Sequence, residues 1–89
     1  MSPEQHLLLR HALLRQLAAA APATLPPDTL RHGAALAGFP LSPAQLQTEL
    51  DYLAGKNLLS LAPAALSHGL TRARLAPAGR DYLEAENLL

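Results

Sequence analysis

The stretch Leu41–Tyr82, LSPAQLQTELDYLAGKNLLSLAPAALSHGLTRARLAPAGRDY, decides the fold. In order it reads as a capped helix, an apolar strand, a loop, an alternating strand and a helix opened by proline. Ser42-Pro43-Ala44-Gln45 is a helix start. The serine side chain accepts from an orphan backbone N–H, the proline suits the first turn, and the glutamine reaches back to complete a capping box. Leu46, Leu50 and Leu53 then follow the i, i+4, i+7 spacing, so one stripe faces the core. Ala44, Gln45, Gln47, Thr48, Asp51 and Tyr52 are left on the other side, with Glu49 near the edge. The helix ends at Gly55, or at Asn57 if the turn closes two residues later. Leu58–Leu61 is apolar between Asn57 and Pro63 and fits a short strand, and Leu70–Leu75 alternates, with Thr71, Ala73 and Leu75 on one face and Arg72 and Arg74 on the other. Pro63–Gly69 is the joining loop. Pro77 opens the last helix, Gly79 permits close backbone approach, and Tyr82 and Leu83 pack it.

The first half repeats the same grammar. Ser2-Pro3-Glu4-Gln5 predicts a helix from Pro3 to Ala20, with Leu9, Leu13, Leu17, Leu7, Leu14 and Ala21 marking one face and Glu4, His11 and Arg15 the other. Pro22, Pro26 and Pro27 break the pattern, because proline inside a helix costs about 3 kcal/mol. A loop therefore spans Pro22–Pro26. A second helix follows from Pro27, with Leu30, Ala34 and Ala37 inward, Leu36 beside them, and Gly38 as its stop.

Eighty-nine residues suffice for one small domain over 1–89. The apolar content of 49% is nearly all Leu and Ala, with no Val or Ile, so helices dominate and any sheet is small. Seven Lys and Arg balance seven Asp and Glu. A basic patch for nucleic acid must then come from local clustering. The absence of cysteine removes disulfides, thiolate nucleophiles and Cys-ligated metals, and predicts a cytoplasmic setting. No apolar run matches a membrane span, and no signal peptide is evident. His6 and His11 are off one helical face and His32 and His68 lie in separate elements, so surface histidines are expected, with no metal and no cofactor. With no Gly-rich phosphate loop and no carboxylate pair beside a base, an enzyme is not expected. Asp81, Glu84 and Glu86 read as a solvated acidic face.

Two segments carry a family resemblance: Tyr52-Leu53-Ala54-Gly55-Lys56-Asn57-Leu58 and Leu75-Ala76-Pro77-Ala78-Gly79-Arg80-Asp81-Tyr82-Leu83. They resemble the pattern of small bacterial winged-helix proteins, in which a helix ends in Tyr-Leu-x-x-Lys-Gly-Leu and Leu-Thr-Pro-x-Gly-x-x-Tyr-Leu opens the closing helix after a wing. Asn57 replaces the usual Gly and Ala76 the usual capping Thr. The whole chain is similar to the short winged helix-turn-helix proteins of Mu-like bacteriophages and prophages, and to bacterial ArsR/MarR-type regulators.

The resemblance implies a mainly α fold with a small β-wing: a three-helix core, a two-stranded antiparallel wing and a C-terminal helix. It implies a homodimeric regulator of transcription in the bacterial host cytoplasm, bound to double-stranded DNA. The third helix would enter the major groove, which points to Gln45, Gln47 and Thr48, and the wing would offer Arg72, Arg74 and His68 to phosphates. The residues also support a rival. The outward side of that helix has no Arg or Lys before Lys56 and carries Asp51, which suits a winged-helix module that meets another protein without touching DNA. Arg72 and Arg74 would then be a solvated strand face. A small core also leaves leucines over, so Leu7, Leu14, Leu88 and Leu89 are expected at a dimer interface.

Overall fold

The computed structural model describes residues 1–63 and 71–89. Its elements run α1 (Pro3–Ala20), α2 (Pro27–Leu36), α3 (Pro43–Gly55), β1 (Leu59–Pro63), β2 (Thr71–Leu75) and α4 (Pro77–Ala85). The chain is thus mainly helical with one two-stranded antiparallel sheet. His68, Leu70 and the rest of the expected loop after Pro63 lie outside the described residues.

Local chemistry sets the helix starts. The Ser2 hydroxyl accepts from the Gln5 N–H at 3.1 Å while Gln5 Oε1 accepts from the Ser2 N–H at 2.9 Å. Ser42 and Gln45 repeat both bonds at the same distances. Such reciprocal caps satisfy two orphan donors and are each worth about 1 kcal/mol. The starts of α2 and α4 have no side-chain cap and rely on Pro27 and Pro77.

Three helices end alike. Gly38, Asn57 and Asn87 adopt φ of 97°, 62° and 57° after α2, α3 and α4. The next amide then reaches back: Phe39 N–H to Ala34 O at 2.8 Å, Leu58 N–H to Leu53 O at 3.0 Å, Leu88 N–H to Leu83 O at 2.8 Å. These are Schellman endings, and the residue past each turn is apolar and packs on the core.

The strands pair from Leu59 opposite Leu75 to Pro63 opposite Thr71. Leu25, in the proline-rich segment read as loop, bridges the free side of β2 by exchanging both backbone bonds with Ala73 at 2.8 and 2.9 Å. Ala73 is fully buried. Gly79 is buried because its Cα lies over the Leu58 carbonyl, where a Cβ has no room.

One cluster forms the core: Leu9, Leu13, Leu14 and Leu17 of α1, Leu30 and Ala34 of α2, Leu46, Leu50 and Leu53 of α3, with Leu41, Leu59, Ala73 and Leu83. Leu14 is 0% exposed, so its side chain is spent inside the chain and is not available to a dimer interface. Leu88 is likewise half-buried against the core, held there by the turn after α4. Leu36 is 77% exposed and Ala37 is exposed rather than inward, because α2 ends at Leu36 and turns at once. Ala21 is exposed beyond α1, and Leu7, expected on one face with Leu9, Leu13 and Leu17, is 46% exposed.

Candidate nucleic-acid interface

The outward side of α3 is built by the same stripe that builds the core. With Leu46, Leu50 and Leu53 buried, Ala44, Gln45, Thr48, Asp51 and Tyr52 are exposed and Gln47 is half-buried. The three groove-facing candidates each carry a bond inside their own helix. Gln45 commits its carbonyl to the cap, Gln47 donates to Asp51 Oδ1 at 2.9 Å, and the Thr48 hydroxyl donates to Ala44 O at 3.1 Å. Exposed bonds of this kind contribute only about 1 kcal/mol each and can be exchanged for a ligand's. Asp51 cannot be exchanged away, and its carboxylate stands among the three.

Glu49 departs from its expected position at the edge. It is 6% exposed and accepts from Arg10 Nε at 2.8 Å and lies 3.2 Å from His6 Nδ1. The Arg10 guanidinium also lies 3.9 Å from the centroid of the Tyr52 ring, and Lys56 Nζ lies 5.3 Å from it. Arg10 thereby holds α1 against α3, whereas the contact of Lys56 with Tyr52 stays within α3 and its cap. The sequence carried a signal for Glu49, since it falls three residues after Leu46 and four before Leu53, on the apolar stripe. Its partners, 39 and 43 residues away, carried none.

The arginines share one outer face of the sheet. Arg72 donates from Nε to the Thr24 hydroxyl at 2.7 Å and from a terminal nitrogen to the Thr24 carbonyl at 3.1 Å. That fixes its stem on the strand bridged through Leu25. Arg74 is exposed opposite Ser60. Among the described residues neither has a carboxylate partner, whereas Arg10, Arg31 and Arg80 pair with Glu49, Asp28 and Glu84. No hydrogen bond joins the α3 group to this pair among the described residues. His68, the third wing candidate, is outside the described residues.

Two of the remaining histidines differ from simple surface groups. His6 and His11 are half-buried, and His11 Nε2 lies 2.7 Å from the Tyr82 hydroxyl, whose ring is tilted by 52° to it. His32 is exposed. Burial raises the Tyr82 phenol above its ordinary value, with repulsion from Glu86 and from Tyr52 adding to it. Among the described residues no three His, Asp or Glu side chains converge as metal ligands, and no helix is long and apolar enough to cross a membrane. Of the expected dimer residues, Leu7 and Leu89 remain exposed, at 46% and 57%. No protein-family model matches the chain and no curated protein matches it, so its own residues carry the functional argument.

Proposed function

We propose that the chain is a small winged-helix protein that binds double-stranded DNA, with its principal phosphate contacts on the sheet rather than on the third helix. Three helices followed by an antiparallel strand pair, with Leu25 bridging β2, are compatible with a winged helix. The observation that carries the DNA reading is the pair Arg72 and Arg74, side by side on one face and free of any carboxylate partner among the described residues, in a chain of zero net charge. Two such cations at alternate positions of one strand favour a polyanion. In this reading Gln45, Gln47 and Thr48 face the groove and the protein is a phage- or prophage-type regulator in the bacterial cytoplasm. It acts as a homodimer, with Leu7 and Leu89, the exposed members of the expected interface set, available for pairing.

A second reading has its own support. The polar groups of α3 are bonded within the helix around Asp51, which makes that surface neutral to acidic and suits a protein partner. A mobility-shift series separates the two readings. At low salt the wild type should shift a duplex, and the shift should weaken steeply as salt rises. Arg74→Ala, at an exposed position whose side chain has no hydrogen bond to lose among the described residues, should weaken binding and lower the salt slope by about one. A wild type that leaves the duplex unshifted at low salt sinks the DNA reading in favour of the protein-binding module.

A further inference from the structure

A cleft of about 580 Å³ opens at the base of the sheet, lined by Pro22, Ser60, Arg74, Leu75, Pro77 and Arg80. Two arginines from different elements, β2 and α4, line this one concavity, and Ser60, which also lines it, is paired across the ladder with Arg74. We infer that this cleft is a phosphate-binding site, with Arg74 and Arg80 as its two forks.

The chemistry favours phosphate over carboxylate. One arginine fork saturates a planar carboxylate, whereas two forks from separate elements suit a tetrahedral anion with several acceptor oxygens. The start of α4 lines the same cleft through Ala76 and Pro77, and Ala76 supplies no side-chain cap that would compete for the site. Pro22, Leu75 and Pro77 give the cleft apolar walls, which fit the carbon face of a sugar attached to the phosphate. One internal competitor is present. Glu84 Oε1 lies 3.2 Å from Arg80 Nε, with both side chains more than half exposed, at 55% and 58%. A pair so solvated opens readily when a stronger anion arrives.

The phosphate has two possible sources, a nucleic-acid backbone or a small phosphate compound. The backbone source rests on the DNA reading above; the phosphate chemistry does not. The test is an NMR titration of the whole chain with inorganic phosphate at constant ionic strength, with chloride as control. Wild type should show saturable shifts at the amides of Ser60, Arg74, Ala76, Ala78, Gly79 and Arg80. Arg80→Ala should bind about tenfold more weakly, the loss of one charge-assisted contact. Glu84→Gln should bind several-fold more tightly, because it frees Arg80. Scattered or unsaturable shifts, an equal response to chloride, or Arg80→Ala and Glu84→Gln both titrating like wild type would overturn the proposal.

A duplex arm then sorts the source. Weaker DNA binding by Arg80→Ala, with a salt slope lower by about one, assigns the phosphate to nucleic acid. Unchanged DNA binding beside a weakened phosphate response assigns the site to a small phosphate compound. Failure of the wild type to bind DNA removes the DNA reading alone, and the phosphate titration still decides the site.

Discussion

Removing the Glu49 carboxylate should be among the costlier single changes outside the leucine core. Glu49→Ala deletes a side chain that is 9% exposed and leaves Arg10 and His6, at 25% and 37%, facing α3 without their acceptor. Breaking a fully buried pair costs roughly 3–5 kcal/mol. Water reaches the two partners here and solvates part of the stranded charge, which brings the expected loss to about 2 kcal/mol. In a domain of this size that lowers the melting temperature by about 10 °C. The assay is urea unfolding followed by circular dichroism, run as a cycle with Arg10→Ala. Arg10→Ala alone also loses its stacking on Tyr52, but that loss is common to both backgrounds and cancels. Arg10→Ala should therefore cost about 1 kcal/mol less when Glu49 is already Ala. A Glu49→Ala protein within about 0.5 kcal/mol of wild type, the range of a neutral surface change, would refute the assignment of this network to holding α1 on α3.

Gly79→Ala should destabilise by about 2 kcal/mol in the same unfolding assay, since the new Cβ meets the Leu58 carbonyl, which itself accepts from the Ala76 N–H at 3.2 Å. Asn57→Ala should cost about 1 kcal/mol because φ is 62° there, whereas Asn57→Gly should be neutral or slightly stabilising. The Tyr82 phenol should ionise above its ordinary value of 10 in the folded chain and return to it in urea, read by phenolate absorbance in a Tyr52→Phe background. The folded state holds that proton more tightly than the unfolded chain. Its contribution to stability is therefore intact below about pH 10 and is lost as pH climbs through the raised value. Unfolding free energy that stays level across that alkaline range would contradict the burial of Tyr82.

Features fixed by neighbours in sequence were legible, and features fixed across the fold were not. Ser2 with Gln5 and Ser42 with Gln45 announce their helices because every atom of a capping box lies within one turn. Asn57 could be read as a helix stop for the same reason. Leu14 turns inward, away from any dimer interface, because α1 offers leucine at so many positions that pattern alone does not say which ones face the core. Thr24 and Leu25 were read as loop amid three prolines, and their strand-like role exists only because Ala73, 48 positions on, lies beside Leu25. The candidate site divides the same way. The alternation of Arg72 and Arg74 puts them on one face of β2, while the brace from Thr24 and the cleft that Arg80 shares with Arg74 needed the folded chain.

The Schellman endings have a consequence for how the chain measures itself. An interior made almost wholly of leucine carries little shape information, and a helix slipped by one residue would still find leucines to bury. Inserting one residue into α3 before Asn57 would turn everything beyond it by about 100° around the helix axis. Asn57 would then aim the chain away from the sheet, and Leu58 would no longer fall into its seat beside Leu53. Gly38, Asn57 and Asn87 thus act as rulers that fix helix length by backbone handedness, where the uniform core could not.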